Sequence, residues 1–289
     1  MRLTPFRVSV RLFEMIGTFK SIVRRVLPSR WGGRLHAWNT RRGIRSYNAH
    51  VVEHRYGSGT FKVMLADALG QGWYDNDWNE LPEITELRKI KLIPGSQVFD
   101  FGAHQGVVAM MFAREVGVSG NVIVVESSRR NADIAAQNAT LNGFATIEVV
   151  HAAVADKVGT IVFNESLNGQ IDDGSGSFGQ VVVPSVTVDS LMEKYGQPDV
   201  VILDIEGAEC MALSAAGSAL ASDVDFFVEV HVGHGLEKLG GSVEKVLSYF
   251  PADQYSRLGR AEADTAFRPL TANDPLFLDR FFLIARRHK

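Results

Sequence analysis

Cysteine is nearly absent from the chain, with Cys210 alone, and a single thiol excludes any internal disulfide. The small stapled folds of oxidising compartments are therefore excluded, and a reduced, cytoplasmic setting is the expectation. Cys210 stands beside Met211 and Ala212, where it reads as a small buried thiol rather than a nucleophile. Long apolar runs are missing too. None approaches the ~18 residues that cross a bilayer, so a membrane-spanning protein is not expected. Glu14 and Lys20 interrupt the early apolar stretch and no small-residue cleavage site follows it, so a signal peptide is not expected either. Also lacking is the G-x-G-x-x-G spacing that seats a pyrophosphate on a helix, which argues against a nicotinamide oxidoreductase.

Acidic residues are scarce at one end. Residues 1–50 carry eleven arginines and lysines against Glu14 alone, a balance of +10, so within a total of −3 the remainder carries −13. With 289 residues, 46% of them hydrophobic, the chain can fill the core of one domain over 51–289 and carry a basic extension over 1–50. Within that extension Leu12, Met15, Ile16, Phe19, Ile22, Val23, Val26 and Leu27 recur at helical spacing until Pro28, which predicts an amphipathic basic helix. Two uses of residues 11–27 stay open: docking on the domain or on a second copy, and peripheral attachment to an anionic membrane such as the inner face of a bilayer. Nucleic acid is a weaker partner, because no recognition module accompanies the basic residues and the −13 balance of the remainder disfavours a polyanion.

The chain is organised around residues 97–106, Gln-Val-Phe-Asp-Phe-Gly-Ala-His-Gln-Gly. A β-prone run ends in Asp100, passes glycines at 102 and 106, and opens into the helix-like 107–113. Glycines there let the backbone approach a bulky ligand, and the helix start presents unpaired N–H groups. Twenty-six residues beyond Asp100, the apolar run 121–126 ends in Glu126, placed to accept from both hydroxyls of a ribose, each bond contributing about 1.5–3 kcal/mol. A nucleoside without a pyrophosphate fits this pattern, and S-adenosylmethionine has no phosphate. The expected cofactor-binding set is Asp100, Gly102, Ala103, His104, Gly106, Glu126, Ser127, Ala153, Val154 and Asp204, with the small residues 152–154 bordering the purine.

Strands and helices alternate from there, which predicts an α/β fold with a mostly parallel sheet. Before the first core strand, 51–56 and 60–64 read as a β lead-in, and Trp73 to Trp78 forms an aromatic and acidic cluster ahead of a helix over 83–90. Strands over 160–163 and 180–183 flank a Gly, Ser, Asn and Asp-rich loop that is either a hairpin connection or a substrate gate. The apolar run 200–203 delivers Asp204, Glu206 and Glu209, and the next run delivers Glu229 and His231. Ligands bind off the carboxyl ends of such strands, so these five are the expected catalytic set. His231 is the candidate base, because its ordinary pKa lies nearest neutrality. A helix over 236–250 and strands over 255–258 and 276–285 complete the pattern. A divalent metal held by Asp204, Glu229 and His231 is an alternative, not the preferred one.

Over about residues 73–285 this order of segments resembles the FkbM family of S-adenosylmethionine-dependent methyltransferases. The resemblance rests on Asp100-Phe-Gly-Ala-His-Gln-Gly106, Glu126, Asn138 with Asn142-Gly143, Val188-Asp-Ser-Leu191, and above all Asp204-Ile-Glu-Gly-Ala-Glu209. It implies a class I (Rossmann-like) methyltransferase fold of seven strands, the last inserted antiparallel, and O-methylation of a sugar, glycolipid or secondary metabolite. His104 and Ile202 stand where the family usually carries Asn and Lys, so a lysine-based mechanism is not implied. Two other readings remain: a non-catalytic nucleotide-binding or scaffold protein, and an RNA methyltransferase.

Overall fold

Apolar runs ending in carboxylates become neighbouring parallel strands. The computed structural model describes residues 42–43, 46–165, 170–171, 179–271 and 274–288; the expected basic helix over 11–27 lies outside them. Strands β3 (Gln97–Phe101), β4 (Asn121–Glu126), β5 (Ile147–His151), β10 (Val200–Leu203) and β11 (Asp225–Val230) run parallel in one sheet. Strand β14 (Phe281–Arg287) lies antiparallel between β11 and β12 (Tyr255–Ala261), and the two-residue β13 (Arg268–Pro269) closes that edge. The spatial order is β13-β12-β14-β11-β10-β3-β4-β5. The seven expected strands are all present, with the last inserted antiparallel as predicted, and β13 is an addition at the rim.

Alternate residues of each strand enter two cores, as the pleat requires. Phe99, Phe101, Val201, Leu203, Phe226 and Val228 face α5 (Val188–Tyr195), α6 (Glu209–Ser214), α7 (Gly217–Ala221) and α8 (Val243–Ser248). Val98, Val122, Val124, Val200, Ile202 and Phe227 face α3 (Val107–Val116), α2 (Pro82–Leu87) and the hairpin of β1 (His50–Tyr56) and β2 (Gly59–Leu65). Ile202, at the position expected to lack a lysine, is thus a core residue, 4% exposed. A separate small sheet of β6 (Ala153–Val154), β9 (Gly179–Val186), β7 (Gly159–Glu165) and β8 (Gln170–Ile171) follows β5, with β6 pairing parallel to Ser185 and Val186 of β9.

Two expected elements are corrected. The helix over 236–250 is broken: a 3-10 turn at Glu237–Leu239 ends at Gly240, whose φ of 76° suits glycine, and α8 starts only after Ser242 caps it. The last strand begins at Phe281 instead of 276, because Pro275–Leu278 forms a 3-10 turn. The aromatic cluster precedes α2 as expected, but Trp73 and Tyr74 also end a further helix, α1 (Ala68–Tyr74), that the sequence pattern did not mark.

Side chains hold the β1–β2 hairpin to the rest. Asn138 and Asn142 sit one turn apart on and just after α4 (Arg129–Leu141). Asn138 Oδ1 accepts from the Met64 amide at 2.7 Å while its Nδ2 donates to the Gln105 carbonyl at 2.8 Å. Asn142 Oδ1 accepts from the Lys62 amide at 2.8 Å, and its Nδ2 donates to the Lys62 carbonyl at 2.7 Å. The two asparagines thus act as a partner strand for β2. Because Asn138 is fully buried, Asn138→Ala is expected to cost about 1–3 kcal/mol in urea unfolding and to expose the Met64 amide to hydrogen exchange. An unchanged urea midpoint with Met64 still protected would show that the clamp is idle.

Candidate active site

The glycine turn after β3 is shaped by a backbone collision that only glycine avoids. Gly102 has φ 86°, and a Cβ there would lie 1.7 Å from the Asp204 carbonyl oxygen. The ends of β3 and β10 can therefore close on one another, bringing Asp204 beside the turn. Gly106 serves packing instead: at φ 78° it starts α3, and its Cβ would press on Ala135 at 2.9 Å. It lines neither of the two clefts at this end of the sheet, and what the structure shows of it is helix–helix contact.

One cleft opens between this turn, the end of β4 and the small sheet. Glu126, Ser127, Ala153, Val154, Phe163 and Ile171 form its walls, with Gly102, His104, Asp204 and Glu206 at one end. Glu126 is set by backbone donors, since Oε2 accepts from the His104 amide at 2.9 Å and Oε1 from the Ser128 amide at 2.7 Å. Burial nevertheless raises its pKa to about 7 against those two bonds. Asp100 is likewise raised to about 7 by burial, and its Oδ2 has no hydrogen-bond partner.

A second cleft shares Gly102, His104, Asp204 and Glu206 with the first and continues to Asp100, Ala103, Glu229 and the aromatic walls Trp73, Tyr74, Phe227 and Phe282. Its roof is α1. The Tyr74 hydroxyl lies 2.9 Å from His104 Nδ1, and the Trp73 ring stands 5.0 Å from the His104 ring. Asp67 caps α1 and also receives Gln105 Nε2 at 2.9 Å and the Arg130 guanidinium. Burial would raise the Asp67 carboxyl, but the bonds from Arg130 and the Gly70 amide outweigh it and hold the group below its ordinary range. Nothing local in the sequence marks this tie, since its partners lie 38 and 63 residues along the chain from Asp67.

Where the clefts meet, β10 and β11 deliver the acidic cluster. His231 is 1% exposed, and its Nδ1 donates to Glu209 Oε1 at 2.7 Å. Its Nε2 has no hydrogen-bond partner and faces Glu229 at 3.5 Å and Asp204 and Glu206 at 3.7 Å each. Burial would lower the imidazole pKa, but the Glu209 bond and the surrounding carboxylates outweigh it and push it up to about 9. A proton held this firmly weighs against His231 as a free base, and any cation at Nε2 would have to displace it. Glu209 is also corrected. It is fully buried behind His231, where it also accepts from the Gly207 amide at 2.9 Å, and it orients the imidazole without reaching either cleft. Glu229 is drawn toward Arg280, 3.0 Å away. The left-handed backbone of Glu206, φ 52°, turns its side chain toward the cluster, and Gly207 behind it packs on Gly235, where a Cβ would meet backbone at 2.4 Å.

The strand order, the antiparallel insertion and a ligand cleft at the carboxyl ends of β3, β4 and β10 define a class I S-adenosylmethionine-dependent methyltransferase fold. A family model described as "Methyltransferase FkbM domain" matches residues 100–259. The chain belongs to that family, and its activity class is S-adenosylmethionine-dependent methyl transfer. No curated protein matches the chain. Among solved structures it is similar to methyltransferase FkbM from Methylobacillus flagellatus KT, with 16% identity over 71% of this chain and 46% of that one and a TM-score of 0.47. It is also similar to an S-adenosylmethionine-dependent O-methyltransferase from Thermotoga maritima, with 12% identity, 82% and 77% coverage and a TM-score of 0.42. An rRNA methylase from Streptococcus thermophilus gives 11% identity, 72% and 95% coverage and a TM-score of 0.42.

Proposed function

We propose that the protein methylates a hydroxyl oxygen on a small polar acceptor, such as a sugar, a glycolipid headgroup or a secondary metabolite. The observation that carries this reading is the meeting of the two clefts at Asp204 and Glu206, with the buried His231 directly behind them, since a hydroxyl, unlike an amine, must lose a proton as it is methylated. The residues fit the cofactor: Asp100 Oδ2 is a buried acceptor with no partner in the protein, suited to a methionyl ammonium, and Glu126 stands at the end of β4 where a ribose would be held. When bound, S-adenosylmethionine supplies a methyl group on a sulfonium, whose leaving group needs no acid.

The protein's part is then alignment, which supplies up to about 7–11 kcal/mol, and uptake of the hydroxyl proton, about 10²–10⁴ in rate. The aromatic walls of the second cleft suit the apolar face of a sugar ring, and Glu229 suits its hydroxyls. Carboxylates at the rim oppose a nucleic-acid acceptor. Among the described residues no helix is long and apolar enough to cross a membrane. A cytoplasmic setting and attachment or self-association through residues 11–27 belong to the proposal. The test is calorimetric titration with S-adenosylmethionine, followed by a radiolabel-transfer screen of hydroxylated glycans and lipids against rRNA. Transfer to the glycans or lipids and not to rRNA is expected; transfer to rRNA alone would overturn the reading.

A further inference from the structure

Within the acidic cluster three groups have the donor set of a cation site. Asp204, Glu206 and His231 each offer one ligand atom, all within 4.8 Å of one another. Ligands bound at about 2.0–2.2 Å around one metal stand about 3–4.4 Å apart, and the two separations from His231 Nε2 are 3.7 Å. Carboxylates alone would not make a site, since acidic groups often gather on a surface without a cation. The further observation is His231 itself: a buried imidazole whose Nε2 has no hydrogen-bond partner and is aimed between the two carboxylates. Behind it Glu209, fully buried, fixes the ring through Nδ1. A carboxylate that holds the far nitrogen of a ligating histidine is the usual support of a metal-bound imidazole.

We infer that Asp204, Glu206 and His231 Nε2 bind one divalent cation of the first transition row, with Glu209 as the residue that positions the imidazole. An imidazole nitrogen suits such ions better than Ca²⁺ or Mg²⁺, which prefer all-oxygen sets. Glu229 is not a ligand, because Arg280 engages it; this redraws the triple of Asp204, Glu229 and His231 that the sequence suggested. Three protein ligands leave coordination positions open toward the junction of the clefts, where an acceptor hydroxyl would bind and lose its proton more readily. The inference rests on the proposed hydroxyl chemistry for its purpose, but not for its test.

Full-length protein, treated with chelator and dialysed, is titrated with Co²⁺ while visible absorption and heat are followed; S-adenosylhomocysteine is titrated separately. One Co²⁺ per chain at micromolar affinity is expected, with an absorption band reporting nitrogen and oxygen ligands. His231→Gln and Asp204→Asn should each weaken it by at least about ten-fold, and Glu209→Gln by about 10–100-fold. His54→Gln, which removes the surface histidine paired with Asp75 and Asp77, should leave it unchanged. Thermal unfolding of each variant checks that it folds, and Asp204→Asn, on a half-exposed side chain, carries the test if His231→Gln does not. No stoichiometric Co²⁺ binding, or binding that survives both substitutions, overturns the inference. Failure of S-adenosylhomocysteine to bind while Co²⁺ does would instead sink the methyltransferase reading and leave the cation site standing.

Discussion

Gly102→Ala is expected to destabilise the protein by about 2–6 kcal/mol and to abolish cofactor binding. Two costs combine: a left-handed φ of 86°, worth about 1–3 kcal/mol for a residue with a Cβ, and overpacking, worth about 1–3 kcal/mol. The second is enforced by backbone, because the methyl group would sit 1.7 Å from the Asp204 carbonyl oxygen and no rotamer can relieve it. Gly143→Ala separates the two. Gly143 has φ 71°, and a methyl group there would meet nothing within 4 Å, so it should lose only the conformational part, about 1–2 kcal/mol. Urea midpoints of the two variants decide the matter: equal losses would mean that the approach of β3 to β10 is not what fixes glycine at 102.

Glu126→Gln is expected to weaken S-adenosylmethionine binding by at least about ten-fold, since a bond to a charged group contributes about 1.5–3 kcal/mol. The effect should depend on pH. Burial holds the Glu126 pKa near 7, above its ordinary 4.5. A ribose hydroxyl donates best to the ionised form, so wild-type affinity should rise between pH 6 and pH 8 by more than that of Glu126→Gln, measured by calorimetry at fixed ionic strength. The stability contribution has the opposite sign. A carboxyl whose folded pKa is raised contributes fully below the unfolded pKa, and the contribution is lost as pH climbs through about 7. Glu126→Gln should accordingly be relatively more stable than wild type at pH 8 than at pH 5. A difference in affinity that stays constant from pH 6 to pH 8 would contradict the buried-carboxylate account.

Strands β3, β4, β10 and β11 were legible because each is a short apolar run closed by a carboxylate, and a parallel sheet buried on both faces requires such runs. Glu126 and Asp204 were legible for the same reason, since the ends of those strands are where ligands bind. Gly240 and Gly241 are the sequence signal against a single helix over 236–250, since the chain breaks at Gly240. Long-range ties left less trace. Asp67, Gln105 and Arg130 meet only after folding, and Asn138 and Asn142 signal a helix and its end in sequence while in space they clamp a strand. The opposed roles of Glu209 and Glu206 were equally hidden: three residues apart, one points into the core to hold His231 and the other turns toward the clefts through a left-handed backbone.

The contact between Gly102 and the Asp204 carbonyl has a thermodynamic corollary. On the proposed reading, the seat of the nucleoside and the seat of the acceptor share Gly102, His104, Asp204 and Glu206, so a shift of that junction on binding one ligand would be felt at the other. Whatever factor one ligand adds to the affinity of its companion must be returned in equal measure, by the reciprocity of coupled equilibria. The same peptide that forces glycine at position 102 would, on that reading, let the two substrates sense each other.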